Sequence, residues 1–169
     1  TKAVAAGKDL IGKGYKILAG SVSSGVALQM APLAEQNRVL FISGPAATDA
    51  ITGANKYTFR SGRQTYQDVK TAATFLRGVG KKVTVFAQDS AFGVGNYAAV
   101  NSIVGSQGHT VGRMLVPLSA QDFTPFAQQV KQANPDLLFV AWAGTTAPAM
   151  WRALEQQGAF GVSNKITTG

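Results

Sequence analysis

Short apolar runs alternate along this chain with longer segments whose apolar residues recur at helical spacing. Residues 2–11, "KAVAAGKDLI", put Val4, Leu10 and Ile11 near one helical face, and Gly12 and Gly14 stop that pattern. "YKILAG" (15–20) then reads as a buried strand, and "GSVSSGVALQMAPLAEQN" (20–37) as a polar, glycine-flanked start to a helix with Val26, Met30, Leu33 and Ala34 inward. Pro32 inside that pattern predicts a kink, because it removes an amide donor and crowds the carbonyl one turn back. "RVLFIS" (38–43) is the next strand, "GPAATDAITG" (44–53) a loop of turn-forming residues, and "YTFRSG" (57–62) a third strand.

The same alternation resumes at Tyr66. It predicts a helix over 66–78, strand 82–88, helix 94–106, strand 110–118, a helix that Asp122 caps and whose first turn holds Pro125, strand 136–143, helix 146–157 and a strand from 165. Strands alternating with helices imply an α/β fold of βαβ units, with parallel sheets covered by helices on both faces. Ligands of such sheets bind beyond the carboxyl ends of the strands, which makes loops 21–25, 44–50, 61–66, 89–93 and 142–146 the places for function.

Composition narrows the classes. In 169 residues, 46% are hydrophobic and 14% charged, enough apolar material for a soluble globular core. The net charge of +8 invites a nucleic-acid reading, but residues 1–60 carry seven basic and three acidic groups and residues 61–169 nine and five, so each part carries +4. Only Lys81 and Lys82 are adjacent cations, and there is no RNA-binding aromatic motif or zinc-finger spacing, so a nucleic-acid partner is not expected. The chain has no cysteine, which excludes disulfides and thiolate chemistry. No apolar run approaches the ~18 residues of a membrane span. The opening at Thr1, directly on a helical pattern, leads us to expect a mature or trimmed piece of something longer.

Catalytic constellations are scarce. The one histidine, His109, stands at the entry of a strand, the wrong end of the sheet for a triad, and reads as an exposed turn residue. The eight acids are scattered, with only Asp49 and Asp89 in post-strand loops, which gives no paired-carboxylate signal. "GVGNYA" (93–98) fits a permissive dinucleotide fingerprint through Gly93, Gly95 and Ala98. However, Asp89 to Phe92 separate it from the strand and no acid follows near Arg113, so helix-on-strand packing explains the glycines as well. The hydroxyls before the second helix carry more. Helix N-termini attract anions, Ser23 or Ser24 could cap the helix or bind a ligand, and the neighbouring loop adds amides and the Thr48 hydroxyl. Without a lysine or arginine in either loop, the pair suits a singly charged carboxylate better than a phosphate.

Taken in order, "ILAGSVSSGVALQMAPLAEQNRVLFISGPAATDAIT", "YTFRSG", "KKVTVFAQDSAFGVGNYAA", "DFTPFAQQVKQANPDLLFVAWAG" and "MWRALEQQG" resemble the branched-chain amino-acid binding proteins of bacterial ABC importers. The resemblance implies the periplasmic binding protein type I fold: two three-layer parallel-sheet lobes joined by a hinge, closing on a small ligand without catalysis, cofactor or metal. It places the boundary at Gly62 to Arg63, with residues 1–62 part of lobe one, lacking its first strands, and residues 63–169 part of lobe two. It implies that Ser24, Thr48 and the backbone of Ala46 grip a carboxylate and that Phe92 lines the pocket from lobe two, while Ser23 stays a candidate from the helix start alone.

Two departures stand out. Arg63, Gln64 and Tyr66 occupy a crossover where an aspartate is usual, and Ala143 replaces an ammonium-binding aromatic, with Trp142 beside it. A ligand without an ammonium accounts for both, since an unpaired buried acid would be costly. Arg63 is then either a second anion contact or a solvated residue of the crossover. The expected partners are a small carboxylate or amide and the permease subunits of an importer. A monomer is expected, its signal peptide removed, in the periplasm or outside the cell, as a lipoprotein in Gram-positive bacteria. The alternatives are a ligand-sensing domain of the same fold and a nucleotide-dependent α/β enzyme.

Overall fold

The computed structural model describes residues 1–163 and 165–169, and the chain divides into two units, Thr1–Thr65 and Tyr66–Gly169. In unit 1, helix α1 (Lys2–Gly12) leads to strand β1 (Ile17–Gly20), helix α2 (Ser24–Asn37), strand β2 (Leu40–Ser43) and strand β3 (Thr58–Arg60). The strands are parallel in the order β1-β2-β3, with Gly20 opposite Ser43 and Ser43 opposite Arg60. Alternation puts Leu18 and Phe41 on the face that packs on Ala27, Met30 and Ala34 of α2. Gly7 lets α1 lie against α2, for a Cβ there would come within 2.7 Å of the Met30 methyl. The opposite face differs from the expectation of helices on both sides: Ile17 and Phe59 are 60% and 56% exposed. Helix α2 runs unbroken through Pro32.

In unit 2, helix α3 (Thr65–Ala73, its first residue still in unit 1) precedes strand β4 (Lys82–Gln88), helix α4 (Ala91–Ile103), strand β5 (Thr110–Val116), helix α5 (Thr124–Ala133), strand β6 (Leu137–Ala141), helix α6 (Ala147–Gln156) and strand β7 (Ile166–Thr168). The parallel sheet runs β5-β4-β6-β7 and is covered on both faces. Val83, Val85, Leu137 and Phe139 pack with Val69 of α3 and Val100 of α4, while Phe86, Leu138 and Val140 pack with Val130 of α5 and Leu154 of α6. Buried on both sides, β6 reads as a continuous apolar run and β4 as one interrupted at Thr84, as central parallel strands do.

Several expected boundaries shift for local reasons. Helix α3 stops at Ala73, where the Phe75 and Leu76 amides bond three residues back, ahead of Gly78 and Gly80 at φ +75° and +71°. Helix α4 begins three residues earlier than the apolar periodicity suggests, because the Ser90 hydroxyl accepts the Gly93 amide at 3.2 Å. Asp122 is not the N-cap of α5; Phe123 holds that position, and the Asp122 carboxylate accepts the Thr124 amide at 2.9 Å. His109 is buried rather than exposed, its Nδ1 accepting the Lys81 amide at 3.2 Å.

That corner of the sheet titrates. Asp136 accepts the Lys82 amide at 2.8 Å, and this bond, aided by the Lys81 charge, holds its carboxyl below the ordinary 3.8. A carboxyl depressed on folding contributes stability that is complete above the unfolded value and is lost as pH falls through the folded one. Asp136→Asn keeps an acceptor but cannot titrate, so the acid-side decline of the unfolding midpoint is expected to flatten below about pH 4. An unchanged acid slope would count against this bond as its origin.

Candidate functional site

In unit 1 the carboxyl ends of β1 and β2 run into two loops that stay paired beyond the strands. The Gly44 amide donates to the Gly20 carbonyl at 3.0 Å and the Ala46 amide to the Ser21 carbonyl at 3.2 Å. The hydroxyl-rich start of α2 and the 44–48 loop are therefore neighbours by continuation of the parallel ladder. Ser23 stands at the N-cap with its side chain exposed and without a capping bond. Ser24 is the first helical residue, 2% exposed, and its hydroxyl oxygen is shielded from water with no hydrogen-bond partner. Leaving a buried hydroxyl unpaired costs about 1 to 3 kcal/mol. Of Ser23 and Ser24, which the sequence treats alike, only Ser24 is placed where a ligand atom would repay that cost.

Thr48 is buried and caps the short 3-10 turn Asp49–Ile51, its hydroxyl oxygen accepting the Ala50 amide at 3.4 Å. Acceptance leaves the hydroxyl proton available to an anion. The Ala46 amide is already committed to Ser21, so the carbonyl is the backbone group this residue can offer. Gln64 donates to the Thr52 hydroxyl at 2.9 Å, and the Arg63 carbonyl accepts from Arg60 at 2.5 Å. Arg60 also donates to the Thr48 carbonyl, and burial lowers its pKa against the opposing charge of Asp49. Sequence reasoning passed over Arg60 as part of a strand motif; the signal was a cation ending a strand beside a polar loop.

In unit 2 the half-buried Phe92 packs on the α3–α4 side of the core, two residues after the Ser90 cap. Gly93 is where the helix touches the strand: a Cβ there would fall 1.9 Å from the Gln88 carbonyl oxygen. Gly95 has open space around it, so the "GVGNYA" glycines serve packing at one position and nothing steric at the other. The Trp142 ring lies 5.3 Å from both Phe86 and Phe123, and its indole N–H donates to the Thr146 hydroxyl at 3.0 Å. The exposed Ala143 donates its amide to the Gln88 side-chain oxygen at 3.0 Å. Gln88 and Thr146, which the sequence did not single out, thus fix the 142–146 loop.

Among the described residues no group of three or more acidic or histidine side chains could hold a metal ion, and no helix is long and apolar enough to cross a membrane. No curated protein sequence matches the chain. Solved structures do. A periplasmic binding protein from Burkholderia mallei superimposes with a TM-score of 0.86 at 25% identity, over 98% of this chain and 45% of that one. A solute binding protein of an ABC transporter from Rhodopseudomonas palustris, solved with p-hydroxybenzoic acid, gives 0.85 at 26% over 99% and 46%. An ABC-type branched-chain amino acid transporter protein from the same species gives 0.67 at 31% over 99% and 47%. The chain thus spans a little under half the length of each. The periplasmic binding protein family matches residues 1–167, and this chain belongs to that family.

Proposed function

We propose that this chain is the ligand-binding part of a monomeric extracytoplasmic solute receptor, which captures a small carboxylate, an amino acid or an aromatic acid, and delivers it to the permease of an ABC importer. The carrying observation is the buried, unpartnered Ser24 hydroxyl in the first turn of α2, beside the Thr48 loop. Two hydroxyls and the helix-start amides match one carboxylate without a cation, because the charge is met by oriented donors and the helix dipole. The atoms that shield Ser24 must yield for a ligand oxygen to reach it. The Ala46 carbonyl accepts an N–H where the ligand carries one. The family and the solved relatives support binding rather than catalysis.

Within unit 2 by itself, Phe92 is assigned as an apolar ligand contact. Trp142 and Ala143 shape the 142–146 loop of unit 2, and Arg63 and Gln64 the end of unit 1, each with a partner within its own unit. Isothermal titration of the intact protein tests the reading with matched probes: 4-hydroxybenzoate against its methyl ester, and L-leucine against L-leucinamide. Saturable heat with at least one free carboxylate, lost in the counterpart whose carboxylate is masked, is expected. Folded protein silent to both acids and to a wider panel of amino and aromatic acids would sink it.

A further inference from the structure

The 44–48 loop is held from behind by the segment that follows β3. The Ser61 amide donates to the Ser43 carbonyl at 3.0 Å, and the Thr65 amide and hydroxyl reach the Ala47 carbonyl at 2.9 and 3.1 Å. Gly62 lies so near Gly44 that a Cβ would come within 2.5 Å of the Gly44 oxygen. Arg60 completes this clasp. It leaves β3 on the sheet face shared with Phe41 and Ser43, and its two terminal nitrogens divide between the Thr48 carbonyl and the Arg63 carbonyl. A planar guanidinium can hold two acceptors on separate segments at once, which a lysine ammonium on a flexible stem does far less well.

All these bonds end on carbonyl oxygens. They therefore consume none of the amides and hydroxyls that the loop can offer to an anion. Arg60 is also costly where it stands, for its Nε is buried without a partner. We propose that Arg60 is a positioning residue, whose fork ties the Thr48 loop to residues 61–65 so that the carboxylate grip and the connector into Tyr66 behave as one body. Its consequence for binding rests on the reading of Ser24 and Thr48 as ligand contacts, whereas the tie itself can be tested without ligand.

Amide hydrogen exchange on the intact, ligand-free protein is the test. In Arg60→Gln, exchange at Ala46, Ser61 and Thr65 is expected to accelerate together by about tenfold, while Phe41 and Ala27 in the same unit keep their rates. Arg60→Lys restores the charge but holds one carbonyl, and should reproduce most of the loosening. With L-leucine or 4-hydroxybenzoate as probe, Arg60→Gln should weaken binding by about tenfold or more, the scale of one charge-assisted hydrogen bond. Unchanged exchange at the three amides, or full rescue by lysine, overturns the tie. If the glutamine variant does not fold, the lysine variant decides by the same criterion. Failure of both probes to bind wild-type protein counts against the ligand reading alone, and the exchange rates still decide the tie.

Discussion

Gly93→Ala is expected to destabilise unit 2 by about 3 kcal/mol or more, at the upper end of what overpacking costs. The added Cβ would stand 1.9 Å from the Gln88 carbonyl oxygen and 3.1 Å from the Ala87 methyl. Neither can retreat. Gln88 and Ala87 end β4, which is bonded to β5 on one side and β6 on the other, and Ala87 is fully buried. The strain would instead fall on the first turn of α4, lifting it off the strand and pulling the Gly93 amide from the Ser90 hydroxyl. Loss of that cap adds roughly 1 kcal/mol. Gly95→Ala, two residues on, has open space around its position and should be neutral or stabilising by about 0.5 to 1 kcal/mol. Urea unfolding of the two variants separates these outcomes. Equal midpoints would mean that the strand end gives way more easily than its two flanking partners imply.

The same contrast shows what the sequence could carry. Strand β4 falls where its apolar run lies because a strand buried on both faces is a local, compositional signal. Periodicity places the start of α4 too late because it begins to count at the first apolar repeat, whereas the helix begins at a hydroxyl cap that adds no apolar residue. The burial of His109 escapes the sequence for another reason. Its partner is an amide 28 residues away, and no local pattern announces a bond across two strand entries. In the candidate site, hydroxyls before a helix were legible as a class, but not which one is buried: a step of one residue separates an exposed Ser23 from a buried Ser24. Arg60 was illegible because its role is defined by two carbonyls that the fold brings to it.

Ser24→Ala and Thr48→Val are each expected to weaken ligand binding by about 1 to 3 kcal/mol, the value of a hydrogen bond to a charged group. Together they should cost roughly a hundredfold or more in affinity, a factor of ten for each ~1.4 kcal/mol. Stability should move the other way at Ser24. Its hydroxyl is buried without a partner in the free protein, so removing it deletes an unpaid desolvation penalty and should leave the unfolding midpoint unchanged or higher. Thr48→Val gives up the bond to the Ala50 amide at 3.4 Å and should lose a little stability. Ser23→Ala is the control: its hydroxyl is exposed and caps nothing, so both affinity and stability should stay close to wild type. Titration and thermal unfolding of wild type and these variants resolve the question at Ser24, where a ligand contact and a structural hydroxyl predict opposite signs. If Ser24→Ala lowers the melting temperature and leaves affinity intact, Ser24 supports the helix start and the carboxylate is held elsewhere. If it raises or preserves the melting temperature while affinity falls, the strain of an unpaired hydroxyl in the empty protein is the counterpart of the bond it makes when the ligand is bound.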